Sequence, residues 1–325
     1  MSKSIFSAPH FNNEEAAFAF IEERLWPDGP VCPHCGVVDR AGRLKGKSNR
    51  PGLWKCYACR KPFTVKVGTI FEDSHIAMRD WLTAIHLLCS SKKGVSSNQL
   101  HRTLGITLKS AWHMSHRLRE AMAIHGPQEP MGGMGKVVEA DETYMGKRKG
   151  KPTGRSTFVT GFGWTQPAAR IPTERKIMAL VERGGKARSF HVESVNLKTA
   201  RHLLQENVSP DSSLVTDEAA IYTRPGWMFR EHHTVNHGEE EWVRDWAHTN
   251  TVEGYFSIFK RGIKGTYQHC KEKHLHRYLA EFDFRYSNRV ALGVNDNARA
   301  DRALKGSVGK RLTYRTTRQQ QAPHS

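Results

Sequence analysis

Apolar and polar residues recur with different periods along this chain, and the changes of period divide it into regions. An amphipathic helical stretch begins at residue 14, and further helical periods run over residues 76–124. Prolines and glycines interrupt the pattern over 125–136, which is typical of a linker. Short apolar runs from residue 137 onward predict strands, and alternating helices and strands follow. From residue 293 the chain is basic and polar with little to bury, so we expect a disordered tail.

The region after residue 137 has a recognisable order of predicted elements. They are strands at 136–141 and 156–165, a hairpin over 175–192 turning at Gly184-Gly185, a helix at 196–207, a strand at 213–217, a brief helix at 218–223, a strand at 232–235 and a helix at 248–263. A block of strands, followed by alternating helices and strands and closed by a helix, resembles a ribonuclease-H-like core. We therefore predict a multidomain α+β protein with an α/β domain of this kind.

The charge balance narrows the class of partner. Lys and Arg total 50 against 32 Asp and Glu, giving a net charge of +18. Such an excess points to a polyanion, and we expect double-stranded DNA. The sequence has no run of about 18 apolar residues, so it predicts no membrane span. The first residues also lack the pattern of a secretory signal. We expect a protein of the bacterial cytoplasm, associated with the nucleoid, whose cysteines are metal ligands or buried thiols.

Two cysteine pairs stand at the spacing of a zinc site. Cys32 and Cys35 form one C-x2-C pair, and Cys56 and Cys59 form the second after 20 intervening residues. Each pair fits a tight turn that presents two thiolates, and two such turns complete a tetrahedral Zn(Cys)4 site. Four cysteine ligands leave no open position, so this zinc is structural. Cys89, Cys270 and His34 are expected to pack or to lie at the surface. Basic residues between the pairs suit phosphate contact: Arg40, Arg43, Lys45, Lys47 and Arg50.

The helical region carries a pattern typical of helix-turn-helix units. A capped helix begins after Ser96, a turn falls at Leu104-Gly105-Ile106, and a second helix begins at Thr107. A plain three-helix packing unit is the alternative reading. The second helix is expected to present its polar positions and to bury its apolar ones. The polar set is Lys109, His113, His116, Arg117 and Arg119, and the apolar set is Leu108, Ala111, Trp112 and Leu118.

Three carboxylates occupy positions that could together hold metal ions. Asp141 and Asp217 each end a predicted strand, and Glu253 lies on the last predicted helix beside its apolar stripe. Asn250 and Lys260 share the polar stripe of that helix. Three carboxylates could hold two divalent ions for in-line attack on a phosphodiester, and oxygen ligands favour Mg or Mn. A basic loop follows the first aspartate and could contact the DNA backbone: Lys147, Arg148, Lys149, Lys151 and Arg155.

Three stretches, VEADETYMGKRKG, VTDEAAIY and HTNTVEGYFSIFKRGIKG with the residues after it, resemble the ISXO-type insertion-sequence transposases. The resemblance runs from about residue 14 to 290. It implies a DDE-type enzyme with an N-terminal zinc ribbon, with Asp141 and Asp217 as metal ligands and Lys260 on DNA phosphate. This group has been described with either Asn or Glu as third ligand. We favour Glu253, because a carboxylate binds a hard cation better than the amide of Asn250.

These observations predict a domain order and a function. The domains are a zinc ribbon with its preceding helix (14–75), a helix-turn-helix-like domain (76–124), a linker (125–136), the catalytic domain (137–292) and the tail (293–325). The function is metal-dependent DNA strand cleavage and strand transfer at element ends. Joining two ends implies a homo-oligomer on DNA. The competing hypothesis is a non-catalytic DNA-binding regulator derived from a transposase.

Overall fold

The structure is a computed structural model that describes residues 4–46, 49–146, 174–235 and 246–313. It divides into two compact units. Unit one comprises residues 1–127 and 257–325, and unit two comprises residues 128–256. The predicted strand at 156–165 lies outside the described residues. Among the described residues, no helix has the length and apolarity that a membrane crossing requires.

Unit one contains a group of helices and a small three-stranded sheet. Its helices are α1 (Pro9–Asn12), α2 (Glu14–Leu25), α3 (Met78–Ser90), α4 (Ser97–Leu104), α5 (Leu108–Met122), α9 (Leu275–Ser287) and α10 (Asp296–Lys305). The strands β1 (Ala41–Arg43), β2 (Trp54–Cys56) and β3 (Pro62–Phe63) pair antiparallel in that order. Apolar side chains from α2, α3, α5 and α10, together with Phe71 from the segment before α3, form one core that includes the fully buried Trp81 and Leu88. Burying a side chain of this size contributes about 1.5–3 kcal/mol.

Helices α4 and α5 confirm the predicted turn but not the predicted faces of the second helix. Ser96 and Thr107 cap the two helices by accepting N–H groups of their first turns, and Gly105 adopts a left-handed conformation between them, with φ of 66°. His116, Arg117 and Arg119 are buried, although the sequence predicted them at the surface. Leu108 is exposed, although it was predicted to be buried. The reason is that Arg117 and Arg119 have internal acceptors, among them the backbone oxygens of Ile70 and Glu72 and the carboxylate of Glu281.

The predicted disordered tail is wrong over its first part. Helix α10 forms over Asp296–Lys305, capped by the Asn295 side chain. Ala303 and Leu304 are buried in the core of unit one, and the buried Arg299 donates to the backbone oxygens of Cys89 and Asn288. These contacts involve single residues spread along a short helix, which a composition argument could not detect. The domain boundaries given above otherwise stay predictions.

Unit two contains a five-stranded mixed sheet in the order β6-β5-β4-β7-β8. The strands are β4 (Val137–Met145), β5 (Arg175–Glu182), β6 (Ala187–Val192), β7 (Ser213–Asp217) and β8 (Glu231–Val235). Strands β4, β5 and β6 pair antiparallel, whereas β7 pairs parallel with β4 and β8 parallel with β7. The connection from β6 to β7 runs through helix α6 (Leu197–Asn207), as a parallel crossover requires.

The sequence pattern predicted these elements well. The hairpin of β5 and β6 turns at Gly184, which has φ of 66°. Asn196 caps α6, and α7 (Ala220–Gly226) follows β7. Met178 and Leu180 of β5 pack with Leu204 of α6 and with other residues in a core on the sheet. Helix α8 (Asn250–Gly262) begins in unit two and contributes the residues up to 256 to it.

Candidate metal centres

Four cysteines converge in the small sheet of unit one. The sulfur atoms of Cys32, Cys35, Cys56 and Cys59 all lie within 4.8 Å of one another. The Cys32 and Cys59 sulfurs are 3.7 Å apart, as are those of Cys35 and Cys56. These distances suit four ligands around one tetrahedral zinc, whose bonds to sulfur are about 2.3 Å long. His34 is exposed and does not belong to the cluster, as the sequence predicted.

The backbone around the second cysteine pair favours a thiolate. The N–H groups of Cys59 and Ala58 donate to the Cys56 sulfur and lower the pKa of that thiol to about 7, although burial opposes the effect. The N–H of Val37 acts likewise on Cys35, but burial and the three neighbouring sulfurs raise the pKa of Cys35 to about 12. Four thiolates at this distance repel one another, so a bound cation is what allows all four to ionise. The donor set therefore fits zinc.

The sheet of unit two places Asp141 and Asp217 side by side. Strands β4 and β7 pair in parallel register up to Ala140 opposite Thr216, so the two aspartates are the next residues along the two strands. Asp217 ends β7 as predicted, but Asp141 does not end β4, which continues to Met145 against β5. The prediction failed on this detail because the polar residues Glu142 and Thr143 follow Asp141 and do not extend the apolar run.

Helix α8 brings a third carboxylate toward the pair. Asn250 is its exposed first residue, and the half-buried Glu253 lies one turn further along. The hydroxyl of the buried Thr249, directly before the helix, donates to a Glu253 carboxylate oxygen at 2.7 Å. The Glu253 side chain is therefore held by its own helix start. Lys260 follows Glu253 by two helical turns and is half-buried.

The charge environment of Asp141 indicates how close the acidic groups are. Burial, followed by the charges of Asp217, Glu142 and Glu253, raises the pKa of the Asp141 carboxyl to about 7. The Glu142 backbone N–H, which donates to an Asp141 oxygen at 2.7 Å, opposes the shift. Carboxylates that disfavour one another's ionisation form a site that a cation would stabilise. Asp141, Asp217 and Glu253 thus occupy one electrostatic neighbourhood.

Glu142 is a fourth carboxylate in this neighbourhood that the sequence argument did not single out. One of its oxygens accepts a hydrogen bond from the buried Tyr222 hydroxyl of α7 at 2.8 Å. Burial raises the pKa of Glu142, and the charge of Asp217 raises it too. Its position directly after Asp141 in VEADETYM was the available signal. A strand that alternates its faces gave no reason to expect both residues near one site.

The carboxylates are more widely spaced than the cysteines. Within the described ranges, the four cysteines are the only group of three or more possible ligand residues whose atoms all lie within 4.8 Å. A site for two ions about 4 Å apart needs such a wider spacing, because different carboxylates contact different ions. Oxygen donors on separate elements are the set that Mg and Mn prefer. The residues therefore fit a divalent metal. The basic loop with Lys147, Arg148, Lys149, Lys151 and Arg155 lies outside the described residues.

Comparison with known proteins identifies the families that the two parts of the chain resemble. Residues 132–287 match the model of the ISXO2-like transposase domain, a DDE-type domain, and residues 12–62 match that of the transposase zinc-ribbon domain. The chain therefore contains a DDE-type transposase domain preceded by a transposase zinc ribbon. More narrowly, the resemblance to ISXO-type insertion-sequence transposases is confirmed.

One curated relative and two solved structures are similar to the chain. The relative is an uncharacterized protein in transposable element ISH50 of Halobacterium salinarum, 24% identical over 286 residues, covering 85% of this chain and 91% of the relative. The Mos1 strand transfer complex is 13% identical with a TM-score of 0.28, covering 70% of this chain and 74% of that one. The Mos1 paired-end complex with left transposon end is 12% identical with a TM-score of 0.27, covering 69% and 74%. At such scores no conclusion about this chain follows from the structural likeness.

Proposed function

We propose that this protein is a DNA transposase that cuts element ends and joins them to target DNA by metal-dependent attack on phosphodiesters. The observation that carries the proposal is the convergence of Asp141, Asp217 and Glu253 from two adjacent strands and one helix. Electrostatic effects of Asp217 and Glu253 on Asp141 support their proximity. The match of residues 132–287 to a transposase domain supports the class of reaction.

Asp141, Asp217 and Glu253 are the residues that would hold one or two Mg or Mn ions. When bound, such ions activate water or a 3′-hydroxyl and stabilise the leaving oxygen. The chain's own part is to fix the geometry. The sheet register holds the two aspartates next to each other, and the Thr249 hydroxyl orients Glu253. Asn250 assists at the exposed helix start, and Lys260 binds a DNA phosphate two turns further along.

The zinc ribbon has a structural part in the proposal. A closed set of four cysteines leaves no position for substrate, so its zinc folds residues around the small sheet and takes no part in the chemistry. The exposed basic residues Arg40 and Lys45 suit contact with phosphate. Arg43 is engaged instead, because it pairs with Glu22, whose carboxylate also accepts the indole N–H of Trp54 at 3.0 Å.

We propose helices α4 and α5 as a second DNA contact. Unlike a simple recognition helix, α5 would contact DNA with only part of its length. Since the second half of α5 is buried, only its first turn can approach bases or phosphates. A groove of about 830 Å³ opens there, lined by the first turns of both helices and the segment 265–269. Its polar lining includes Asn98, Gln99, Lys109 and Gln268. Amide side chains of this kind pair with base edges.

The proposed fold of unit two is ribonuclease-H-like. The order β6-β5-β4-β7-β8, with three antiparallel strands followed by two parallel ones, supports it. A fold alone does not define a reaction, so the argument for catalysis depends on the carboxylates. Transposition also joins two ends, and we therefore propose that two or more copies act together on DNA.

A strand-transfer assay tests the proposal. Wild-type protein is incubated with a duplex of the element's own end and with target DNA, in Mg²⁺ or Mn²⁺. We expect cleavage and joining that disappear with EDTA and in Asp141→Ala and Asp217→Ala. Unchanged joining in either variant would refute the assignment of the site. Binding of the duplex without cleavage, under all metal conditions, would instead favour the regulator hypothesis.

A further inference from the structure

A buried carboxylate outside the trio holds the start of the helix that carries Glu253. Glu139 lies in the central strand β4, two residues before Asp141, and its side chain has no solvent exposure. Residues two apart in a strand point to the same face of the sheet. Glu139 therefore lies on the face where Asp141 meets α8, but the mechanism given above does not use it.

Four hydrogen-bond donors surround this carboxylate, and one histidine nitrogen lies near it. One oxygen accepts from Arg183 Nε at 2.5 Å and from the Thr251 hydroxyl at 2.8 Å, and His248 Nδ1 lies 3.3 Å from it. The other oxygen accepts the backbone N–H groups of Thr251 at 2.8 Å and Val252 at 2.9 Å. A carboxylate has about four lone-pair positions. Glu139 is therefore saturated by donors and is not available as a further metal ligand.

The two backbone donors belong to the first turn of α8. The first N–H groups of a helix have no partner within the helix, and they carry its positive dipole end. Side chains near in sequence normally satisfy them, but here the acceptor comes from a strand more than 100 residues earlier. The contact fixes where the helix begins relative to β4, and therefore relative to Asp141.

Arg183 extends the contact to the segment before the helix. Its two terminal nitrogens donate to the backbone oxygens of Trp246 at 2.9 Å and His248 at 2.7 Å. Its own backbone N–H donates to the oxygen of Val137, the first residue of β4. The guanidinium thus joins the strand to residues 246–248 while its Nε pairs with Glu139. A planar fork with several fixed donors suits this task better than an ammonium group.

We propose that Glu139 and Arg183 form a clamp that positions Glu253 for metal binding. The clamp holds the backbone from Trp246 to Val252, and the Thr249 hydroxyl within that segment orients the Glu253 carboxylate. Glu139 and Arg183 are positioning residues that act through Thr249 and Glu253. The inference rests on the proposed function for its catalytic consequence, whereas its structural part can be measured without any reaction.

Two variants test the clamp. Glu139→Gln keeps the shape but places an amide NH₂ among donors, and Arg183→Lys keeps the charge but loses the fork. Glu182→Gln is the matched control, because Glu182 also lies in the sheet, opposite Val138, and contacts Gly132 and Lys136, which lie outside α8. The full-length protein is used throughout, with zinc content and thermal unfolding as checks of folding.

The first readout is deuterium exchange of the peptide 246–256 in protein without divalent metal. We expect faster exchange in both clamp variants and wild-type exchange in the control. The second readout is the Mn²⁺ concentration that gives half-maximal cleavage, which we expect to rise about 10- to 100-fold, as for other residues that orient metal ligands. DNA affinity, measured without metal, is expected to stay within about 2-fold of wild type, since Glu139 is fully buried and the guanidinium nitrogens of Arg183 are bonded to protein oxygens.

The outcomes separate the clamp from the proposed function. Wild-type exchange and wild-type Mn²⁺ dependence in Glu139→Gln would overturn the clamp. Faster exchange with an unchanged Mn²⁺ requirement would also overturn it, because the residues would then only stabilise the fold. If wild-type protein shows no cleavage at all, the proposed function fails, while Mn²⁺ affinity measured by calorimetry still tests the clamp against the same two variants.

Discussion

The cysteine cluster and the carboxylate cluster are alike in their electrostatics, but their members are separated by different lengths of sequence. Both gather groups that repel one another when ionised. The cysteine cluster spans residues 32 to 59, and its sulfurs all lie within 4.8 Å. The carboxylates come from residues 141, 217 and 253 and are more widely spaced. The cysteine cluster is thus built by two nearby turns, whereas the three carboxylates come from separate elements of unit two.

The largest effect is expected from a substitution in the cysteine cluster. Cys56→Ser removes a buried ligand, and because the apparent binding free energy of structural zinc is about 10–16 kcal/mol, we expect the ribbon to unfold. Zinc content measured by mass spectrometry should fall from one ion per chain toward none, and residues around β1 to β3 should become sensitive to protease.

The control for this prediction lies within the same turn. His34 stands between two ligands but is exposed and outside the cluster. His34→Ala is therefore expected to keep one zinc per chain. Loss of zinc in this variant, or its retention in Cys56→Ser, would contradict the assignment of the ligands.

The next largest effect is expected from a substitution in the carboxylate cluster. Asp217→Asn keeps the side-chain shape but removes one charge from the metal site, and we expect cleavage to slow by about 10³-fold, equivalent to about 4 kcal/mol. Zinc content and the unfolding temperature should not fall, because the amide keeps an oxygen that accepts the backbone N–H of Ala219, as the carboxylate does at 3.2 Å. Asp211→Asn, an exposed residue just before the same strand, is the control and should retain activity.

A smaller effect sharpens the choice of third ligand. Glu253→Gln is expected to slow cleavage by about 10²-fold, whereas Asn250→Ala is expected to slow it by less than about 10-fold, since an amide is the weaker ligand for a hard cation. Cleavage rates at saturating Mn²⁺ decide between them. The reverse order of the two effects would make Asn250 the ligand.

The smallest effect concerns the fourth carboxylate. Tyr222→Phe removes the hydroxyl that donates to Glu142 at 2.8 Å. A hydrogen bond of this kind contributes about 1 kcal/mol. If Glu142 supports the site, the loss of this bond is expected to weaken Mn²⁺ binding by about 5-fold. Tyr286→Phe, on the half-buried α9 residue of unit one, is the control. Equal Mn²⁺ affinity in wild type and Tyr222→Phe would separate Glu142 from the metal site.

The contrast between the two clusters also explains what the sequence could predict. The spacing of Cys32, Cys35, Cys56 and Cys59 is a local property, because each tight turn presents its own pair. The hairpin at Gly184 and the cap at Asn196 are likewise local. These features, together with the strand that ends at Asp217, could be predicted from residue type and period.

Features that depend on distant partners escaped prediction. Arg119 appeared to be a surface residue of α5, but Glu281, 162 positions later, accepts its guanidinium in the core. Glu139 was not singled out from the sequence, and its partners lie on a helix more than 100 residues away. A periodicity argument assigns charged residues to the surface, and it fails wherever tertiary structure supplies the opposite charge.

We propose that β4, β7 and α8 build one divalent-metal site that is distinct from the zinc site. Iron-directed hydroxyl-radical cleavage tests it most directly: zinc-loaded protein is incubated with Fe²⁺, ascorbate and peroxide, and the fragments are mapped. We expect backbone cuts near residues 141, 217 and 253 that excess Mg²⁺ suppresses and that Asp217→Asn removes together. Cuts near only one of these positions, or an unchanged pattern in Asp217→Asn, would contradict it.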